Sequence, residues 1–232
     1  MKLKYVFAIT FVITFVSMAI GIYYKSSYLD FNKEESPLDK FGIALLDDEF
    51  LDSQLQNMEE NLDSSNIILA VRCEDRFHYR YSCMTQKVSV VSVFKGENLK
   101  EGDTFEIAKA SNFLSLDKDA MYNGMYPINM GYVNEMIPGK TYLIFLDRKL
   151  KNCSKKDIIY MQNRHFTLAP IFCYENIINI PKKPENELIP CIGYSQVKDN
   201  EFFIMSEESN KKIAFMKEKL FSKYKLDYFR SK

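Results

Sequence analysis

The chain has no net charge, no tryptophan, only two histidines and none of the common catalytic signatures, and each absence narrows what it does. Its 31 basic and 31 acidic residues cancel, so no overall field draws it to nucleic acid or to an anionic surface, and no nucleic-acid partner is expected. The missing tryptophan stands beside 18 Phe and 15 Tyr, which is a bias of composition and carries no function. A Ser-His or Cys-His nucleophile would have to use His78 or His165. Neither lies in a context such as G-x-S-x-G. H-E-x-x-H, the phosphate-loop pattern G-x-x-x-x-G-K-[ST] and the dinucleotide-binding glycines are also absent. The common enzyme classes are thereby removed, and no cofactor is expected. There is no internal repeat and no low-complexity tract.

The most informative segment is the N-terminus. Lys2 and Lys4 precede an uncharged run from Tyr5 to Tyr24, followed by Lys25. At the helical rise this run reaches roughly 30 Å, one hydrocarbon core. Its only polar interruptions are Thr10, Thr14 and Ser17, too few for the polar stripe of a surface helix. Residues 5–24 are therefore expected to enter a lipid bilayer, as a signal-anchor in residues 1–25. Ser17-Met18-Ala19 also satisfies the small-x-small rule for cleavage after Ala19, which would make the segment a signal peptide and the rest secreted. In either case the lysine-bearing end stays in the cytoplasm and everything after Lys25 is exported.

Beyond the anchor, residues 26–64 read as a juxtamembrane linker carrying an amphipathic helix. Leu45, Leu46, Phe50, Leu51, Leu55, Met58 and Leu62 line one face. The acidic run Asp47-Asp48-Glu49 suits a helix N-terminus without any metal. Residues 65–232 then show strand patterns: Asn66–Cys73, Tyr79–Phe94, Thr104–Ala108, Thr141–Asp147, Asp157–Gln162 and His165–Tyr174. The apolar run 141–147 reads as a central strand covered on both faces. Residues 109–137 have no sustained period, and Pro181, Pro184 and Pro190 exclude regular structure across 180–190. Ser206 can cap a last helix with Ile213, Met216, Leu220 and Tyr224 on one face. The fold class is mainly β (α+β overall), an antiparallel β-barrel with N-terminal, linker and C-terminal helices.

Between two strand patterns lies Lys95-Gly96 to Gly102-Asp103. It is not a phosphate cradle: five residues separate the glycines, Asp103 stands where the lysine belongs, and Glu97 and Glu101 would repel an anion. The glycines permit tight turns and Leu99 can fold back onto the core. The pattern V-x-V-F-K-G-x-N-L-K-x-G-D, from Val91 to Asp103, followed by P-G-K-x-Y-L-I-F-L, from Pro138 to Leu146, resembles bacterial exported relatives of the netrin-module and tissue-inhibitor-of-metalloproteinases group. The likeness covers about residues 66–148 and implies a five-stranded OB-type barrel. In the animal inhibitors an N-terminal cysteine chelates the target's zinc. Here no such cysteine exists, and cleavage after Ala19 would expose Ile20, so that mechanism is not carried over.

All five cysteines, Cys73, Cys83, Cys153, Cys173 and Cys191, lie in the part expected to be exported, where disulfides persist. An odd count leaves one unpaired. Cys73 and Cys83 flank a hairpin turn and are disulfide candidates, with unpaired buried thiols as the other reading. With His78 they also form C-x4-H-x4-C, a weak metal pattern lacking the usual C-x2-4-C element. The basic-aromatic run from Arg76 to Tyr81 is explained by strand amphipathicity without a single-stranded nucleic acid. The irregular segment 111–135 carries Tyr122, Tyr126 and Tyr132, candidates for a binding surface or for loop packing. The function expected is a non-catalytic binding or adaptor module whose partner is another envelope or surface protein. Two alternatives are an envelope enzyme using a free thiol or Cys/His site, and an accessory subunit of a membrane complex.

Overall fold

The structure, a computed structural model, describes residues 3–27, 30–80, 83–96, 98–109, 112–113, 125–150, 158–163, 165–184 and 191–226. It divides into two compact units, Met1–Pro37 and Leu38–Lys232. In the first, helix α1 (Leu3–Ser27) is long and apolar enough to cross a membrane, and its described side chains are all exposed.

The second unit carries, in chain order, β1 (Phe41–Ala44), α2 (Asp48–Asn61), β2 (Ile67–Cys73), β3 (His78–Arg80), β4 (Cys83–Lys95), β5 (Thr104–Lys109), β6 (Asn112–Phe113), β7 (Tyr126–Asn129), β8 (Thr141–Lys149), β9 (Ile159–Gln162), β10 (Ile171–Cys173), β11 (Cys191–Gly193) and α3 (Glu207–Lys223). Strands β2, β4, β5, β9 and β8 pair in that order, and β8 pairs again with β2 to close a five-stranded barrel. One pair, β5 with β9, is parallel and the others are antiparallel. That single parallel contact gives the barrel its OB-like wrap. Register shifts in β2 against β4 and in β8 against β9 supply the bends that closure needs. The barrel interior and its apolar cover include Leu69, Val88, Phe105, Leu143, Phe145 and Phe172, all buried. The expected central strand is confirmed: β8 is buried from Thr141 to Leu146 and pairs on both edges.

The loop Gly96–Gly102 is the β4–β5 hairpin turn. Both glycines have positive φ, and Leu99 packs against the core. Gly131 is the more constrained glycine: at φ +70° its added Cβ would lie 2.9 Å from the Cβ of Ala169. The main chain of Ala169 donates to Gly131 O at 2.8 Å, pinning the irregular segment to the chain before β10.

The second unit begins at Leu38, and its first strand, β1, pairs β11 and β7, partners some 85 to 150 residues away. These strands form a second sheet, β11-β1-β7-β6, that the sequence did not signal. The strand expected over His165–Tyr174 is only the three residues of β10, since Pro170 cannot donate to a ladder.

Helix α2 starts where Asp47 accepts from Phe50 N at 2.7 Å, so the acidic run serves as cap and first turn. Helix α3 is capped by Ser206, which accepts from Ser209 N at 3.0 Å. The two helices run side by side in register: Asp52 meets Lys212 at 2.8 Å, Glu59 meets Lys219 at 2.7 Å, and Asp63 meets Lys223. These exposed pairs orient the helices and add little stability. The packing strength lies in Leu51, Met58, Ile213, Met216, Leu220 and Tyr224, which share the core.

Candidate functional site

Beyond β10 the chain leaves the sheet as an extended strap, residues 174–184, held by side chains instead of a ladder. Asn179 Oδ1 accepts from the main-chain N–H of Glu201 at 2.7 Å and of Phe202 at 2.9 Å. Asn200 accepts from Ile180 N at 3.0 Å and donates to Ile180 O at 2.9 Å. Both asparagines are buried and act as short polar stand-ins for a neighbouring strand. Pro181 and Pro184 keep the strap extended.

Between strap and α3 lies a cleft of about 730 Å³, within the size range of small-ligand sites. Its walls are Tyr174, Ile177, Ile213, Ala214 and Phe221. Tyr174 stacks on Phe221 with ring centroids 4.5 Å apart and closes one end. At the other end Asn179 and Asn210 exchange hydrogen bonds at 3.4 Å. Cys173 and Lys217 also line it. Lys217 pairs with the buried carboxylate of Glu201, whose Oε1 accepts from Cys173 N at 2.6 Å. The Lys217 ammonium also lies over the rings of Phe202 and Phe221, at 5.8 and 5.7 Å. Glu201 thus joins the edge of β10 to α3 beneath the cleft. Burial holds its carboxyl above the usual range, against the pull of Lys217.

The thiol in this cleft is not activated. Burial first, then the carboxylates of Glu201 and Glu175, push Cys173 up to about 12. It stays a protonated thiol at neutral pH and is a poor nucleophile. Cys73 is pushed up to about 12 and Cys191 to about 11, again by burial.

The residues singled out from sequence fall elsewhere. Cys73 is a free, buried thiol that donates to Asp75 O at 3.1 Å, so the Cys73–Cys83 bridge is not formed. Cys73 lies opposite Val88 and Cys83 opposite Arg80, five positions away along β4, roughly 15 Å and beyond disulfide reach. His78 pairs with Asp75 at 2.8 Å. Cys73, His78 and Cys83 are not brought together as ligands: among the described residues no three His, Cys, Asp or Glu side chains are placed to hold a metal. Tyr132 is half-buried at φ 56°, its ring 6.2 Å from that of Phe50 and its hydroxyl bonded to Asn129, which is packing. Tyr122 and the side chain of Tyr126 lie outside the described residues.

A second buried polar cluster sits where β5 ends. Lys109 is enclosed and its Nζ donates to Val133 O and to Asn134 O, the latter at 2.9 Å, with the Phe77 ring 5.7 Å away. Desolvation lowers the Lys109 ammonium to about 7, opposed by nearby Glu135. Burial raises the Glu135 carboxyl, which Phe77 N, Arg76, Lys109 and Tyr194 partly offset. Asn134 ties this cluster to the 194–200 turn through Tyr194, at 3.0 Å, and the carbonyls of Lys198 and Asn200, each at 2.8 Å.

Sequence reasoning missed both clusters. Asn179, Asn200, Glu201 and Lys217 have no motif spacing that marks them in the sequence. The barrel, its appended sheet and the α3 cleft define the class: an OB-like barrel protein with a ligand-sized cleft outside the barrel. No protein-family model matches the chain, and a search of curated proteins finds no match.

Proposed function

We propose that the chain is a membrane-anchored, extracytoplasmic binding module that holds its partner in the cleft between α3 and the strap and catalyses no reaction on it. The observation that carries this is the composition of the cleft. Its middle is walled by Ile177, Ile213, Ala214 and Phe221, Glu218 and Lys211 stand at its ends, the Lys217–Glu201 pair is satisfied internally, and its thiol is held protonated. Such a site offers apolar burial at its centre with polar groups placed around it, which suits binding. The competing thiol-enzyme reading would rest on Cys173, where the thiolate is disfavoured. The helix Leu3–Ser27 supports the anchor, with the lysine-bearing end inside. The OB-like wrap supports the likeness to netrin-type exported modules, at the level of fold.

Two measurements test the reading. Protease added to intact cells or spheroplasts is expected to digest residues 30–232; full protection overturns the location. A photo-crosslinking residue in place of Ile178, which is 75% exposed on the strap, is expected to give a discrete adduct with an envelope or surface protein. The same residue at Glu101 in the β4–β5 turn is expected to give none. Equal yields at both positions would reject the cleft.

A further inference from the structure

We infer that the cleft takes an extended peptide segment that adds as a strand to residues 176–178 of the strap, apolar at its centre, with a basic end at Glu218 and an acidic end at Lys211. This rests on the cleft being the binding site, and three features of the strap specify the occupant.

The first is main-chain bonding capacity. Tyr174 N donates to Thr141 O, and Ile180 and Lys182 N–H are satisfied by Asn200 and Ile204. Among the described residues, the N–H groups of Asn176, Ile177 and Ile178 between them meet no acceptor. An extended segment with unpaired amides beside an apolar cleft is the geometry of strand addition, in which main-chain bonds supply affinity and alternate side chains fill the pocket. The second is the side chains. Ile178 and Ile180 are 75% and 58% exposed, and β-branched side chains there fit a strand neighbour.

The third is charge. The strap runs antiparallel to α3, from Tyr174 beside Phe221 to Asn179 beside Asn210. The eleven helical steps of α3 from Asn210 to Phe221 span roughly 16 Å, the length of about five extended residues. The acidic side chain of Glu218 stands toward the Phe221 end, and Lys211 stands beside Asn210 at the other; Glu175 also lines the cleft, but its carboxylate already accepts from Thr141 N at 3.1 Å and from the Cys173 thiol at 3.3 Å. Lys217 lies between them but is already paired with Glu201. The cleft is therefore electrically polar along its length. A segment of matching polarity is favoured over one carrying a single sign of charge.

The test uses the full chain in lipid nanodiscs with Ser222→Trp as reporter. Ser222 is an exposed residue of the cleft rim, and the protein contains no other tryptophan. The probe is the capped pentapeptide acetyl-Glu-Val-Ile-Val-Lys-amide, compared with two analogues N-methylated on alternate amides and with one whose ends are Gln. The parent is expected to change the tryptophan emission saturably. One N-methyl pattern is expected to weaken binding about ten-fold or more, the loss of one to two main-chain hydrogen bonds, while the other has little effect. The Gln analogue is expected to bind more weakly, and only the charged parent is expected to lose affinity as salt is raised. Equal affinity of both N-methylated peptides with the parent overturns strand addition. No peptide response, with the Ile178 photo-adduct still formed, overturns the peptide class and leaves the cleft as a site. Loss of both the response and the adduct overturns the cleft itself.

Discussion

Glu201→Ala is expected to destabilise the compact unit Leu38–Lys232 by about 3–5 kcal/mol, the loss typical when one partner of a buried ion pair is removed. The substitution strands two groups at once. Lys217, with only 14% of its side chain exposed, loses its counter-charge, and Cys173 N loses the acceptor at 2.6 Å. The main chain of Glu201 is itself held by Asn179 and Asn134, so the backbone cannot readily move to readmit water. Glu201→Gln keeps an acceptor for Cys173 N and is expected to cost less. The double variant Glu201→Gln/Lys217→Met removes both charges and keeps the acceptor; it is expected to recover most of the stability lost in Glu201→Ala. Urea denaturation of the full chain in detergent, followed by near-ultraviolet circular dichroism from its tyrosines, measures the series. A double variant as unstable as Glu201→Ala would show that the carboxylate acts by packing and not by pairing.

Lys109→Met is expected to change how stability depends on pH. In the unfolded chain the lysine titrates near its ordinary value of about 10.4, whereas burial lowers it to about 7 in the fold. Below pH 7 both states carry the proton and the folded state bears the full desolvation penalty. Between pH 7 and 10 the unfolded chain binds the extra proton, so stability rises with pH. As pH falls back through 7, that contribution is lost. From pH 7 to 9.5 the wild type is expected to gain about 3 kcal/mol relative to Lys109→Met. The slope is the decisive observable, because at any single pH the methionine also leaves Val133 O and Asn134 O without their donor, at about 1–3 kcal/mol each. A pH-independent difference between the two proteins would mean that Lys109 stays charged when folded, with Glu135 as its compensating partner.

Both predictions concern groups that no local pattern marks. Lys109 is the last residue of β5, and in the sequence it reads as an ordinary surface lysine ending a strand. It is buried because residues 133–137 cross over it, which follows from long-range contacts: Asn134 N bonds to Glu201 O, and Gln86 bonds to Met136. Glu201 and Lys217 are equally anonymous until α3 docks. The disulfide candidates show the reverse error. Cys73 and Cys83 looked close because they bracket a hairpin, yet the long strand β4 carries Cys83 past the pairing position, and strand register sets which residues meet.

The chain's linear pattern was enough for the apolar N-terminal helix, the two amphipathic helices with their Asp47 and Ser206 caps, the hairpin around Gly96 and Gly102, and the buried strand β8. Each of these is written in residues within about ten positions of one another, as periodicity, caps and turn chemistry. Tertiary structure alone decided three things: that the body begins at Leu38, that a second sheet joins β1 to β7 and β11, and that a cleft with a buried Glu201–Lys217 pair lies between α3 and the strap. Those features depend on groups many tens of residues apart, whose proximity comes from barrel closure and helix docking, and apolar spacing along the chain carries no record of which distant surface will cover it.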